Sequence, residues 1–191
     1  MKNIALFASG GGSNALEIIK HFKGNSKANI QFIVTNNPQA GIINKAKLQG
    51  VPVFVFPSDF LCKGDALLSF LNQNNIEWIV LAGYLKKIPD NVIASFPNSI
   101  INIHPSILPE FGGKGMHGIA VHKAVISAKK KESGITIHYV NEEYDAGKII
   151  FQITCEVKSE DTPESLAERV LGLEHRYFAT TIEKLLDVKS D

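Results

Sequence analysis

Asn3-Ile4-Ala5-Leu6-Phe7-Ala8-Ser9-Gly10-Gly11-Gly12-Ser13-Asn14 is the stretch that decides the fold. Its first half is a short apolar run without polar alternation, as in a strand buried on both faces. A strand buried on both faces needs helices on both sides of its sheet, which is an α/β architecture. The run stops at three glycines, and Asn14-Ala15-Leu16-Glu17 follows as a capping box, with Asn14 as N-cap and Glu17 reaching back. The spacing predicts a helix to about Lys23, with Leu16, Ile19 and Phe22 on one stripe. The apolar start resembles a signal peptide only briefly, because no cleavage-like site precedes the helix.

The alternation then repeats. Ile30–Thr35 reads as a second strand, followed by a helix after Pro38 that stops near Gly50. Val53–Phe56 is a third strand, Ala66–Leu71 a helix and Trp78–Ala82 a fourth strand. This order predicts a mostly parallel sheet with right-handed crossovers. The second half changes character. Ile100–Ile103 is a strand, Gly112–Gly118 is glycine-rich and Ala120–Ala128 is helical. Gly134–Val140 and Ile149–Val157 read as antiparallel partners, and Thr162-Pro163 opens a last helix carrying Leu166, Val170, Leu173, Tyr177, Ile182 and Leu185.

A length of 191 residues suits one domain. The net charge of +1 provides no general field toward nucleic acid or membrane, and Lys129–Lys131 reads as a solvated run. No apolar run is long enough to span a bilayer. Cys62 and Cys155 lack metal or disulfide-framework spacing, and the six histidines form no HxxxH pair. These features predict a cytoplasmic protein with no metal and no nucleic-acid or membrane partner, and they leave monomer or homodimer open.

The Ser9–Asn14 loop joins a strand to a helix, where backbone N–H groups and the helix dipole converge on an anion. It lacks the Gly-Lys-Ser/Thr ending of a triphosphate loop. Gly10, Gly12 and Ala15 match a dinucleotide fingerprint, but Asn36-Asn37 stand where a ribose-binding acid is required. The loop therefore reads as a phosphate cradle, with a plain tight turn as the alternative.

Asn102 and His104 are two residues apart on a strand and point to one face. Pro105 ends that strand, which puts the pair at a carboxyl edge, where α/β sheets bind ligands. An amide donor beside an imidazole suits carbonyl chemistry, one holding an oxyanion and the other moving a proton. A satisfied core pair is the alternative.

These segments carry a resemblance. The Ser9–Asn14 loop, Leu81-Ala82-Gly83-Tyr84-Leu85, Asn102-Ile103-His104-Pro105-Ser106-Ile107-Leu108-Pro109 and Asn141–Asp145 with Gly147 resemble the folate-dependent phosphoribosylglycinamide formyltransferase family. The similarity runs in order from Met1 to about Leu185. The resemblance implies a Rossmann-like formyltransferase fold over 1–191, with a phosphate-binding half at 1–100 and a catalytic, folate-binding half at 101–191. It also implies formyl transfer from 10-formyltetrahydrofolate to the amine of 5-phosphoribosylglycinamide. Asn102, His104 and Asp145 match the catalytic residues, and a carboxylate at Asp145 is expected to raise the pKa of His104. Gly12, Ser13 and Asn14 match the phosphate site, and Leu171, Gly172, Leu173 and Glu174 the ribose site. Lys63, Leu85, Lys86, Lys87, Ile88, Asn102, Asn141, Glu142, Glu143, Tyr144 and Asp145 match the folate site. Thr136 and His138 match a supporting pair.

The chain departs from the family in its glycine-rich Phe111–Gly118 segment, which holds an unassigned His117, and in a charged Lys87. His122 better matches the family's next histidine. Related readings are a methionyl-tRNA formyltransferase, which carries an added RNA-binding domain, and a hydrolase, which carries an added N-terminal domain. A nucleotide-binding module without chemistry and a nicotinamide dehydrogenase are the readings from other classes.

Overall fold

Fourteen elements follow one another along the described residues, and their apolar faces divide between two cores. The computed structural model describes residues 1–188. The first half runs β1 (Lys2–Phe7), α1 (Ser13–Phe22), β2 (Ala28–Thr35), α2 (Ile42–Leu48), β3 (Val53–Val55), α3 (Ser58–Cys62), α4 (Gly64–Gln73) and β4 (Trp78–Leu81). The second runs α5 (Asp90–Ser95), β5 (Ile100–His104), α6 (Ile119–Ser127), β6 (Glu132–Tyr139), β7 (Ile149–Glu156) and α7 (Pro163–Val188).

The seven strands form one sheet in the order β3-β2-β1-β4-β5-β6-β7. The first five pair in parallel, while β5–β6 and β6–β7 pair antiparallel. Period-two alternation sends Ile4 and Leu6 to one core, with α1, α6 and α7, and Ala5 and Phe7 to the other, with α4 and α5. A fully buried Phe7 or Ile18 contributes roughly 1.5–3 kcal/mol. The chain turns back after β3, so β1 and β4 lie side by side and open a crevice beyond their carboxyl ends.

The expected strands are all present, but three local expectations need correction. The N-cap of α1 is Gly12, not Asn14, and no side chain caps it. Gly12 takes the left-handed conformation (φ 65°, ψ 31°), which starts the helix earlier than the capping box implied. Glu17 instead pairs with Lys20 at 2.7 Å. On α1 the buried stripe is Ala15, Ile18, Ile19 and Phe22, with Leu16 only half-buried. Helices α3 and α5 were not expected, because each is too short to show a helical apolar period. At the opposite end, Thr162 Oγ1 accepts the Ser165 N–H at 3.2 Å, as an N-cap does.

Candidate active site

The crevice beyond β1 and β4 holds a cleft of about 750 Å3. Asn14 and Glu174 line it on one side, and Asn102, His104 and Asp145 on another. A smaller cavity of about 70 Å3 shares Asn102, Tyr144 and Asp145 with it.

Two cross-strand pairs build the chemical centre. Asn102 lies opposite His138, and His104 lies opposite Thr136, all four on the same sheet face. Asn102 Nδ2 donates to His138 Nε2 at 3.1 Å and to Asp145 Oδ1 at 3.5 Å. His138 Nδ1 donates to the Tyr139 carbonyl at 2.8 Å, which leaves Nε2 as the acceptor. His104 Nε2 donates to the Phe111 carbonyl at 2.8 Å, which directs Nδ1 toward Asp145 Oδ2, 3.5 Å away. Asp145 itself is fixed by the Gly113 N–H at 2.8 Å, with its backbone at φ 56°.

Burial lowers the pKa of His104, outweighing the opposing effects of Asp145 and the Phe111 carbonyl. This corrects the expectation that the neighbouring carboxylate would favour the charged imidazole: His104 is only 3% exposed, and desolvation wins. Burial pushes Asp145 up, but the Gly113 N–H and the positive charge that His138 and His104 carry when protonated hold it below the ordinary carboxylate range. The ground state is therefore a neutral imidazole facing a carboxylate, with Nδ1 free to accept a proton.

Glu174 is buried rather than solvated, and Asn14 Nδ2 donates to its Oε2 at 2.5 Å. Burial raises the Glu174 pKa against this hydrogen bond. Leu171 lines the cleft beside it, whereas Gly172 is exposed and Leu173 packs on the core. Gly12 and Ser13 stand at the start of α1, next to the cleft-lining Asn14. No partner among the described residues accepts the backbone N–H groups of Gly12, Ser13, Asn14 or Ala15.

Leu85 and Lys86 line the large cleft, and Lys86, Lys87 and Ile88 line the small cavity. Lys87 pairs with Asp90 at 2.8 Å and Ile88 is buried, so their side chains support the strip. Asn141, Glu143, Tyr144 and Asp145 border the small cavity, while Glu142 is exposed and lines neither space. Lys63 is exposed at the α3–α4 junction and lines neither space. Thr136 Oγ1 accepts from Leu108 N (3.0 Å) and Gln152 Nε2 (2.8 Å) and donates to Ser106 O (2.7 Å), tying down the segment after His104.

Three contributors were left without a role in the site by the sequence. The Phe111–Gly118 segment, noted only as a departure, supplies the carbonyl that orients His104, the amide that fixes Asp145, and one wall of the cleft. Its backbone groups carry no residue-type signal. Ser9 Oγ accepts Leu85 N–H at 3.0 Å and donates to Asn36 Oδ1 at 2.6 Å, joining the glycine loop to the 85–88 strip. His122 lines the cleft, buried, with Nδ1 unpartnered.

The sequence profile of a family described as formyl transferase matches residues 2–182, nearly the whole chain. The chain belongs to the formyl transferase family. The chain is 44% identical over 188 residues to a chloroplastic phosphoribosylglycinamide formyltransferase of Arabidopsis thaliana, covering 95% of the chain and 64% of that protein. It is 37% identical to the phosphoribosylglycinamide formyltransferase of Bacillus subtilis, covering 100% of the chain and 97% of that protein. The chain thus spans less than two thirds of the plant relative and nearly all of the bacterial one. The crystal structure of the Bacillus halodurans phosphoribosylglycinamide formyltransferase superimposes with a TM-score of 0.89 at 33% identity, covering 100% of this chain and 97% of that one.

Proposed function

We propose that this formyl transferase moves the formyl group of 10-formyltetrahydrofolate to the amine of 5-phosphoribosylglycinamide, yielding N-formyl-5-phosphoribosylglycinamide and tetrahydrofolate for purine biosynthesis. The observation that carries the reading is the convergence of Asn102 and Asp145, which line both the large cleft and the small cavity, with His104, which lines the large cleft. The two spaces meet at Asn102 and Asp145, so a group held in one can reach a group held in the other beside His104.

In this reading the phosphate sits on the free amides of Gly12, Ser13 and Asn14, and Glu174 holds the ribose hydroxyls beside Leu171, Gly172 and Leu173. The folate lies along Leu85–Ile88 and Asn141–Asp145, with Lys63 toward its carboxylate end. The amine nitrogen attacks the formyl carbon. Asn102 supports the developing oxyanion with the N–H now spent on the 3.5 Å contact to Asp145, which is too long to be strong. Neutral His104 accepts the amine proton at Nδ1, and the nearby Asp145 carboxylate stabilises the imidazolium that forms. The carbon–nitrogen bond to the folate then breaks, and the proton passes to the departing nitrogen. No step requires a metal, and the described residues contain no group of three or more acidic, histidine or cysteine side chains placed to hold one.

The reading includes a single catalytic domain, its 1–100 half supplying the phosphate cradle and its 101–191 half the catalytic side chains, acting as a monomer or homodimer. It includes a cytoplasmic location, consistent with two unpaired cysteines, and no nucleic-acid or membrane partner. Among the described residues no helix is long and apolar enough to cross a membrane. The test is a steady-state assay with both small molecules, following release of tetrahydrofolate. Turnover that needs both is the expected result; formylation of methionyl-tRNA with none of the ribotide rejects the assignment.

A further inference from the structure

Helix α6 presents to the cleft one polar ring that the chemistry above does not use. His122 is 4% exposed and lines the large cleft together with His104 and Glu174. Its neighbours Val121 and Val125 pack in one core with Leu166 and Val170 of α7, the helix that carries Glu174. His104 is close enough for its charge to bear on the His122 ring. His122 is thus within reach both of the helix that holds Glu174 and of the chemical centre.

The two ring nitrogens of His122 differ. Nδ1 is enclosed and has no hydrogen-bond partner. Nε2 is not enclosed in this way, and no group among the described residues bonds to it. A hydrogen on Nδ1 would be a buried donor with nothing to accept it, which is rarer in folded proteins than an unfilled acceptor. The hydrogen therefore belongs on Nε2. Burial and the neighbouring His104 both oppose protonation of the ring. His122 thus offers the cleft a single uncharged N–H, held in a rigid helix and spent on no protein group.

That donor calls for an acceptor on the ligand. In the ribotide the phosphate belongs to the glycine loop and the ribose hydroxyls to Glu174. The linker from the ribose to the reacting amine carries one carbonyl, that of the glycinamide. We propose that His122 is a binding residue for this linker, its Nε2–H donating to the glycinamide carbonyl. The bond fixes the segment between the ribose at Glu174 and the amine at His104, and so sets the direction from which the amine approaches the formyl carbon. The proposal rests on the reading that the ribotide is the formyl acceptor.

The experiment measures kcat and both KM values for His122→Gln and His122→Phe. Gln keeps an N–H at about the reach of histidine Nε2, whereas Phe keeps the ring's bulk and has no donor. His122→Phe should raise the ribotide KM about tenfold, the loss of one buried hydrogen bond, while His122→Gln stays within about threefold of the parent. The folate KM should not move in either. Infrared spectra of bound ribotide with an isotopically labelled glycinamide carbonyl supply a readout that packing alone would leave unchanged. The carbonyl stretch should lie lower on the parent and on His122→Gln than on His122→Phe. A stretch identical on all three overturns the proposal even where the KM rises, because the histidine is then only part of the wall. If His122→Phe does not fold, the parent alone decides, through the ring-nitrogen resonances of isotopically labelled histidine. The hydrogen should sit on Nε2, and that resonance should shift with the ribotide and stay in place with inorganic phosphate; a hydrogen on Nδ1 refutes the contact. A parent that turns over the ribotide, with variants of unaltered ribotide KM, removes this contact only. A parent that does not turn over the ribotide removes the proposed function itself.

Discussion

His104 Nδ1 faces Asp145 Oδ2 across 3.5 Å, between a strand end and a loop 41 residues later in the chain. The histidine's other nitrogen is committed to the Phe111 carbonyl, so only Nδ1 is free to exchange a proton. His104→Ala should lower kcat by about 10²–10⁴, the usual contribution of a positioned acid–base group. Asp145→Asn should fall in the same range, because it removes the charge that stabilises the imidazolium. Steady-state kinetics should show KM changes far smaller than the kcat changes. A His104→Ala enzyme within threefold of the parent kcat removes the histidine from the mechanism.

Because burial holds His104 below the ordinary histidine value of 6.5, its neutral form persists into mildly acidic solution. The acid limb of the kcat/KM profile should therefore fall below pH 6.5, with a plateau above it. The same shift bears on stability. His122 is also lowered by burial, so at these two sites the unfolded chain binds more protons just below pH 6.5 than the folded one. Urea midpoints should decline as pH drops from 6.5 through the folded pKa values and lose this dependence further down. His122→Leu should make the decline shallower; an unchanged slope would show that His122 takes up its proton alike in the folded and unfolded chain.

Thr136 Oγ1 is fully buried and joins Ser106, Leu108 and Gln152. Thr136→Val keeps the shape but strands the Leu108 N–H, at a cost of about 1–3 kcal/mol for an unsatisfied buried group. Chemical denaturation should show that loss. kcat should fall as well, since Ser106 and Leu108 follow His104 directly. A stability loss with unaltered kcat would separate the scaffold from the chemistry.

Burial raises the Glu174 pKa, and the hydrogen bond from Asn14 opposes that rise. In Asn14→Ala that donor is gone, the Glu174 pKa rises further, and less carboxylate remains to hold ribose hydroxyls. The ribotide KM should increase about tenfold, the equivalent of roughly one charged hydrogen bond, with the folate KM unchanged. Equal increases in both constants would instead indicate a general distortion of the cleft.

Much of the site was legible because its parts are local. Asn102 and His104 share a face through the two-residue period of a strand, and Pro105 marks where that strand stops. The glycine loop announced itself by lying between an apolar run and a helix. Asp145 and Glu174 were legible only through family resemblance, since Asp-Ala-Gly alone reads as a turn and a glutamate on a helix alone reads as solvated. The Asn14 cap was misread because the left-handed Gly12 starts the helix earlier, a choice that packing against Ile42 enforces.

The sequence by itself determined the order and type of the strands, the parallel first half, the loop at the front and the polar pair at the edge of β5. Each follows from steric and hydrophobic patterns that span a few neighbouring residues. Only the tertiary structure decided that Asp145 meets His104, that Glu174 is buried against Asn14, that Lys63 lines neither space and that burial lowers the His104 pKa. Those outcomes depend on burial and on contacts between residues far apart in the chain, and desolvation is a property of the packed surroundings that no short stretch of sequence carries.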